Sequence, residues 1–137
     1  MYYKKRKFKF RAWDTEKNKM AKVIHIGVEE GEVHMEDDDC WCWSAPQPYV
    51  CRLMQYTGLK DKNEKEIYEG DIVRAVKYTG RMVQGTMVFK NGSFCIKNDL
   101  ITVYNLMDYE IEVLGNIYEN KELLKSLNSF DEGGIIF

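Results

Sequence analysis

Apolar and polar residues alternate one by one in several short stretches of the chain, and turn-forming residues separate those stretches closely. Lys7-Phe8-Lys9-Phe10-Arg11-Ala12-Trp13 is the first. Phe8, Phe10 and Ala12 fall on one side of an extended chain and Lys7, Lys9 and Arg11 on the other, which predicts a half-buried strand. Asp14 to Lys19 is polar and turn-like. A second strand is expected from Met20 to Val28, and Gly31 separates it from Val33-His34-Met35. After the acidic run Glu36 to Asp39, Cys40-Trp41-Cys42-Trp43 and the prolines Pro46 and Pro48 show no clear period. That region reads as loop with a short strand.

Val50 to Tyr56 predicts another short strand, and Gly58 to Lys65 a charged loop centred on Asp61-Lys62-Asn63. Ile67-Tyr68 leads into a tight turn at Glu69-Gly70-Asp71, and a strand is expected from Ile72 to Tyr78. Thr79-Gly80 turns the chain and Met82 to Lys90 returns it. Asn91-Gly92 between two apolar stretches is a hairpin signal, because a type I′ turn needs positive φ at both central residues. Ser93 to Lys97 and Leu100 to Leu106 are the next expected strands. In Tyr109-Glu110-Ile111-Glu112-Val113 the residues Tyr109, Ile111 and Val113 should face a core, and Gly115-Asn116 ends the strand. Asn120 is placed to cap a short helix with Leu123, Leu124 and Leu127 on one stripe. Gly133-Gly134 begins a tail that ends in the apolar Ile135-Ile136-Phe137.

Short strands with close turns favour a mainly β fold over alternating strand and helix units. The expected architecture is a small SH3-like barrel with an additional N-terminal β region and a short C-terminal helix. Its expected division is residues 1–55 and 56–137, or one continuous domain. The SH3-like likeness concerns fold and implies no function. The chain has 137 residues with 45% hydrophobic and 13% aromatic content, enough to build a core without staples and suited to strands.

The net charge of −2 removes any general attraction to nucleic acid or anionic lipid. No apolar run approaches the ~18 residues that cross a bilayer. The N-terminus lacks the apolar core of a secretory signal. The expectation is a cytoplasmic protein, not associated with a membrane, whose four cysteines are thiols.

Local chemistry offers several candidates. Lys4, Lys5, Arg6, Lys7, Lys9 and Arg11, interleaved with Phe8 and Phe10, could contact phosphates and stack bases. The same pattern describes an edge strand with core-facing Phe8 and Phe10 and protective charges outside, which is the favoured reading. Cys40, Cys42 and Cys51 with His34 are the weak metal candidates. Cys-x-Cys departs from the usual Cys-x2-Cys and no second pair follows, so no metal and no cofactor is assigned. Cys95 reads as a small buried thiol. The acidic run Glu36 to Asp39 lacks the oxygen spacing of a calcium loop and reads as solvated. Glu66 and Glu69-Gly70-Asp71 read as turn chemistry rather than an acid–base pair. His25 is flanked by Ile24 and Ile26, and neither histidine has a catalytic context.

Two longer blocks, Leu53 to Val73 (LMQYTGLKDKNEKEIYEGDIV) and Tyr109 to Leu124 (YEIEVLGNIYENKELL), closely resemble the signature blocks of the YopX family of phages and prophages of Gram-positive bacteria. Lys9 to Asp14, KFRAWD, followed by Met20, is similar to the family's N-terminal block. The family often has Gly where this chain has Glu64, which bears on the turn there. Within these blocks Tyr56, Gly58, Tyr68, Glu69, Gly70, Asp71, Asn116 and Tyr118 mark a recognition surface if they lie in exposed loops, and packing if they lie in strands. The resemblance implies an accessory protein of phage or prophage that forms homo-oligomers, and it implies no enzymatic activity. The leading expectation is a non-enzymatic interaction module with an unidentified protein partner. The alternatives are a nucleic-acid-binding protein using the basic N-terminal strand, and a metal-dependent enzyme using the acidic and thiol cluster.

Overall fold

The computed structural model describes residues 5–29, 31–36, 43–46 and 51–128, with side chains except at 43–46 and 126–128. Lys4, Asp37 to Asp39, Cys40, Trp41, Cys42, Pro48 and the Gly133 to Phe137 tail lie outside the described residues, as does the side chain of Leu127. The chain divides into two compact units, Met1–Tyr56 and Thr57–Phe137.

The first unit is an antiparallel sheet of β1 (Phe10–Asp14), β2 (Lys19–Gly27), β3 (Glu32–Glu36), β4 (Trp43–Pro46) and the start of β5 (Cys51–Lys60), in the order β4-β3-β2-β1-β5. Ala12, Ala21, Val33, Met35 and Cys51 form its core, with Val23 and Leu53 against them. Asp14 shapes the β1–β2 turn: its Oδ1 accepts the Glu16 and Lys17 amides at 2.8 and 3.0 Å. Asn18, which tolerates left-handed backbone, takes φ 54° there. Phe8 departs from its expected core position and is 66% exposed. It shares a side with Ala12 by parity, but the ladder to β5 ends where Tyr56 N–H donates to Lys9 O, so Phe8 overhangs the sheet.

The second unit contains β6 (Glu66–Tyr68), β7 (Asp71–Lys77), β8 (Met82–Lys90), β9 (Ser93–Lys97), β10 (Thr102–Val103), β11 (Tyr109–Asn116) and α1 (Lys121–Asn128). Its five-stranded antiparallel sheet runs β10-β9-β8-β7-β11. Asn91 and Gly92 both have positive φ, 53° and 82°, as a type I′ hairpin demands. Ile67, Val73, Ala75, Val83, Met87, Ile96, Val103, Leu106 and Ile111 form the core, and Tyr109 and Val113 pack on it as their alternation predicts. Gly85 is needed where it stands, because a Cβ there would lie 2.7 Å from Lys97 O and 2.8 Å from Ile96 Cγ2.

Three expectations change. The strand from Cys51 continues through Gly58 to Lys60, leaving a loop of only Asp61 to Lys65. Thr57 Oγ1 holds this continuation, donating to Ile67 O at 2.8 Å and accepting from Leu59 N–H at 3.1 Å. The strand expected over Leu100 to Leu106 shrinks to β10 and a 3-10 turn at Leu106–Asp108. Asn98 is the cause: its Oδ1 takes the Leu100 and Ile101 amides while its Nδ2 donates to Gln84 O, so side-chain bonds replace a ladder. Finally, no closed barrel is found; among the described residues both strand orders are open. The outer edge of β11 meets a loop instead of a strand, with Lys62 N–H donating to Ile111 O at 2.8 Å.

Candidate functional site

The two sequence blocks of the second unit meet in space. β7 pairs with β11 from Tyr109↔Lys77 to Asn116↔Asp71, with a register shift between Val113 and Gly115. Gly70, at φ 85°, connects three segments: its N–H donates to Met87 O and its carbonyl accepts from Ile117 N–H. Positive φ at that point favours glycine. Asp71 is buried and its Oδ2 accepts the Tyr68 amide at 2.8 Å.

Asn116 is buried as well and organises the turn after β11. Its Oδ1 accepts the amides of Tyr118 and Glu119, and its Nδ2 donates to Glu119 Oε1 at 2.7 Å. Asn120 directly precedes α1, and its Oδ1 accepts the Asn116 amide at 3.0 Å. Gly115 leaves room for that side chain, since a Cβ would lie 2.5 Å from Asn120 Oδ1.

Asp61, in which the sequence shows only turn composition, is an anchor. Its Oδ1 accepts the Asn63 and Lys65 amides and its Oδ2 accepts Val113 N–H at 3.0 Å. Removal from solvent is the largest single influence on this carboxyl and raises its pKa; the Val113, Lys65 and Asn63 amides and the Lys65 charge together outweigh it, holding the pKa below the ordinary 3.8. The local Asp-x-Asn signal was legible, whereas the bond to Val113 depends on tertiary structure. Beside Asp61 lies an open groove of about 290 Å³, bordered by Leu59, Lys60, Met107, Tyr109 and Glu110. Lys62 and Arg74 each approach Glu112 at 3.7 Å.

The eight motif residues therefore divide. Tyr56, Gly70, Asp71 and Asn116 are buried, Tyr68, Glu69 and Tyr118 are half-buried, and Gly58 is exposed at φ 90°. Lys5, Arg6, Lys7 and Lys9 are exposed and Arg11 is half-buried. The Arg6 guanidinium sits 5.1 Å from the Phe8 ring centre.

His34 and Cys51 are not brought together, since Cys51 belongs to the core and His34 alternates with the core residues Val33 and Met35. Among the described residues no three His, Cys, Asp or Glu side chains gather so as to hold a metal ion. Burial first, then the Asp14 charge, pushes the Cys51 thiol up, against a smaller lowering by Arg52. Burial likewise raises Cys95 over the lowering by Lys90 and Lys97. Both are thiols rather than reactive thiolates at neutral pH. No helix among the described residues is long and apolar enough to cross a membrane.

The model of the family described as "YopX protein" matches residues 9–125. Among solved structures the chain is similar to protein EF1440 from Enterococcus faecalis, at 29% identity and a TM-score of 0.58 over 85% of this chain and 97% of that one. It is also similar to protein yopX from Bacillus subtilis, at 22% identity and a TM-score of 0.57 over the same shares, a likeness of fold. No curated protein matches the chain.

Proposed function

We propose that this chain, which belongs to the YopX family, is a non-enzymatic interaction module serving a phage or prophage as an accessory protein in the host cytoplasm. The observation that carries the reading is the outward-facing apolar set of the second unit. Tyr78 is 88% and Met107 85% exposed, and Phe89, Leu100 and Tyr104 are exposed too. Aromatic residues and Met are the types enriched at protein interfaces. The polar motif groups Asp61, Asp71 and Asn116 are meanwhile occupied with backbone amides. On this reading the second unit is a partly rolled relative of an SH3-like barrel, with Asp61 standing where a further ladder would close it.

Sedimentation velocity and capture from phage-infected cells test the proposal, using the parent and a Tyr78→Lys, Met107→Lys double variant. The expected result is self-association, or a captured partner, that the variant loses. A parent that stays monomeric and captures nothing the variant fails to capture rejects it.

Exposed Phe8 favours a second reading, nucleic-acid binding through the segment from Lys4 to Arg11. A base can stack on an aromatic ring that faces solvent while Lys5, Lys7 and Lys9 neutralise phosphates. A gel shift with single-stranded DNA at increasing salt, with Lys4, Lys5, Arg6 and Lys7 changed to Glu, separates the two readings. Salt-sensitive binding by the parent alone supports it, and no binding by the parent rejects it.

A further inference from the structure

We propose that His25 and His34 form a two-imidazole chelate for a divalent transition-metal ion. The site is independent of the function proposed above. These are the only two histidines in the sequence, and the β2–β3 ladder sets them directly opposite one another. An irregularity in β2 produces the pairing. Val23 faces Met35 and His25 faces His34, so Ile24 is an extra residue in the strand. Regular alternation would return His25 to the face of Val23, which packs on the core. The bulge re-aims it to the outer face, where β-bulges commonly present functional side chains.

The ring centroids lie 5.2 Å apart with the planes at 83°. Two imidazole nitrogens about 2 Å from a shared ion, at about 110° to one another, place the ring centroids about 5 Å apart. The present centroid spacing, with one ring edge-on to the other, matches that distance. The Glu32 carboxylate is 3.7 Å from His34 Nε2 and contributes negative charge that favours a cation. Two rungs along the ladder Lys22 lies 3.8 Å from Glu36, so a carboxylate partly offsets that ammonium. Two protein nitrogens leave the remaining positions to water. Imidazole suits nickel, copper and zinc, and Ni2+ is the least drawn to thiols of the three as a probe.

Calorimetric titration of the untagged full chain with NiCl2 at neutral pH is the test. The expected result is saturable binding of one ion, weakened roughly tenfold or more in His25→Asn and in His34→Asn alike. His25 is exposed and His34 half-buried, and neither belongs to the core, so thermal unfolding of the variants should stay close to that of the parent. A second readout needs no variant: paramagnetic Ni2+ should broaden the proton signals of both imidazoles together at low occupancy. No saturable binding, binding unchanged in either variant, or broadening of one ring alone would overturn the chelate.

Discussion

The two units reach order by different means. The first rests on a small cluster of Ala12, Ala21, Val33, Met35 and Cys51, with one carboxylate, Asp14, folding a local turn. The second encloses a larger cluster around Val73, Met87, Ile96 and Ile111 and ties distant segments through Asp61 and Gly70, while Asn116 orders the turn after β11. Buried acceptors that each collect two or three backbone amides specify register in a way apolar packing alone does not. The longer signature blocks fall largely in the second unit, so what they encode there is chiefly this wiring. Among the described residues, the outward faces of the first unit follow alternation and one bulge.

Core truncation should separate the units most strongly. Met87 and Met35 are both fully buried. Met87→Ala is expected to cost roughly 4 kcal/mol and Met35→Ala roughly 2 kcal/mol in urea unfolding, because the smaller cluster collapses more readily around a void. Equal losses would mean that the two cores are equally rigid.

The acidic anchors come next. Asp61→Ala strands the Val113, Asn63 and Lys65 amides and should cost about 3 kcal/mol, while Asp14→Ala frees two exposed-turn amides and should cost about 1 kcal/mol. Acid sharpens the contrast. The folded pKa of Asp61 is lowered, so its contribution is complete above the unfolded value near 3.8 and disappears as pH falls through the folded value. Stability of the parent should thus drop below about pH 4 more steeply than that of Asp61→Asn, as thermal unfolding across pH would report.

Below the loss of Asp61 comes the effect of a single methyl in β8. Gly85→Ala meets a carbonyl and a core methyl and should cost about 2 kcal/mol. The smallest change has the opposite sign. Glu64 holds a left-handed φ of 66°, whereas the non-glycine left-handed position of the first unit is Asn18, a residue type that tolerates it. Glu64→Gly should stabilise by about 1 kcal/mol and Asn18→Gly by nearly nothing, read as shifts in melting temperature.

Period and turn chemistry made much of the fold legible. β8 and β9 lie where alternation and the Asn91-Gly92 pair put them, and Ile111 is buried as predicted. Side chains that bond to backbone defeated the rest. Asn98 consumed the amides of an expected strand, Thr57 prolonged β5 past Gly58, and Asp61 reached a partner far along the chain. The position of Phe8 depended on where a ladder ended, and the meeting of His25 with His34 depended on one extra residue in β2. Neither event leaves a mark in composition or period.

The bond from Val113 N–H to Asp61 joins residues 52 apart. The hairpins from β7 to β9 need only short excursions and can zip first, whereas this contact must await closure of a long loop, whose entropy cost delays it. Asp61 should therefore act after the rate-limiting step, its loss hastening unfolding while leaving the speed of refolding almost untouched.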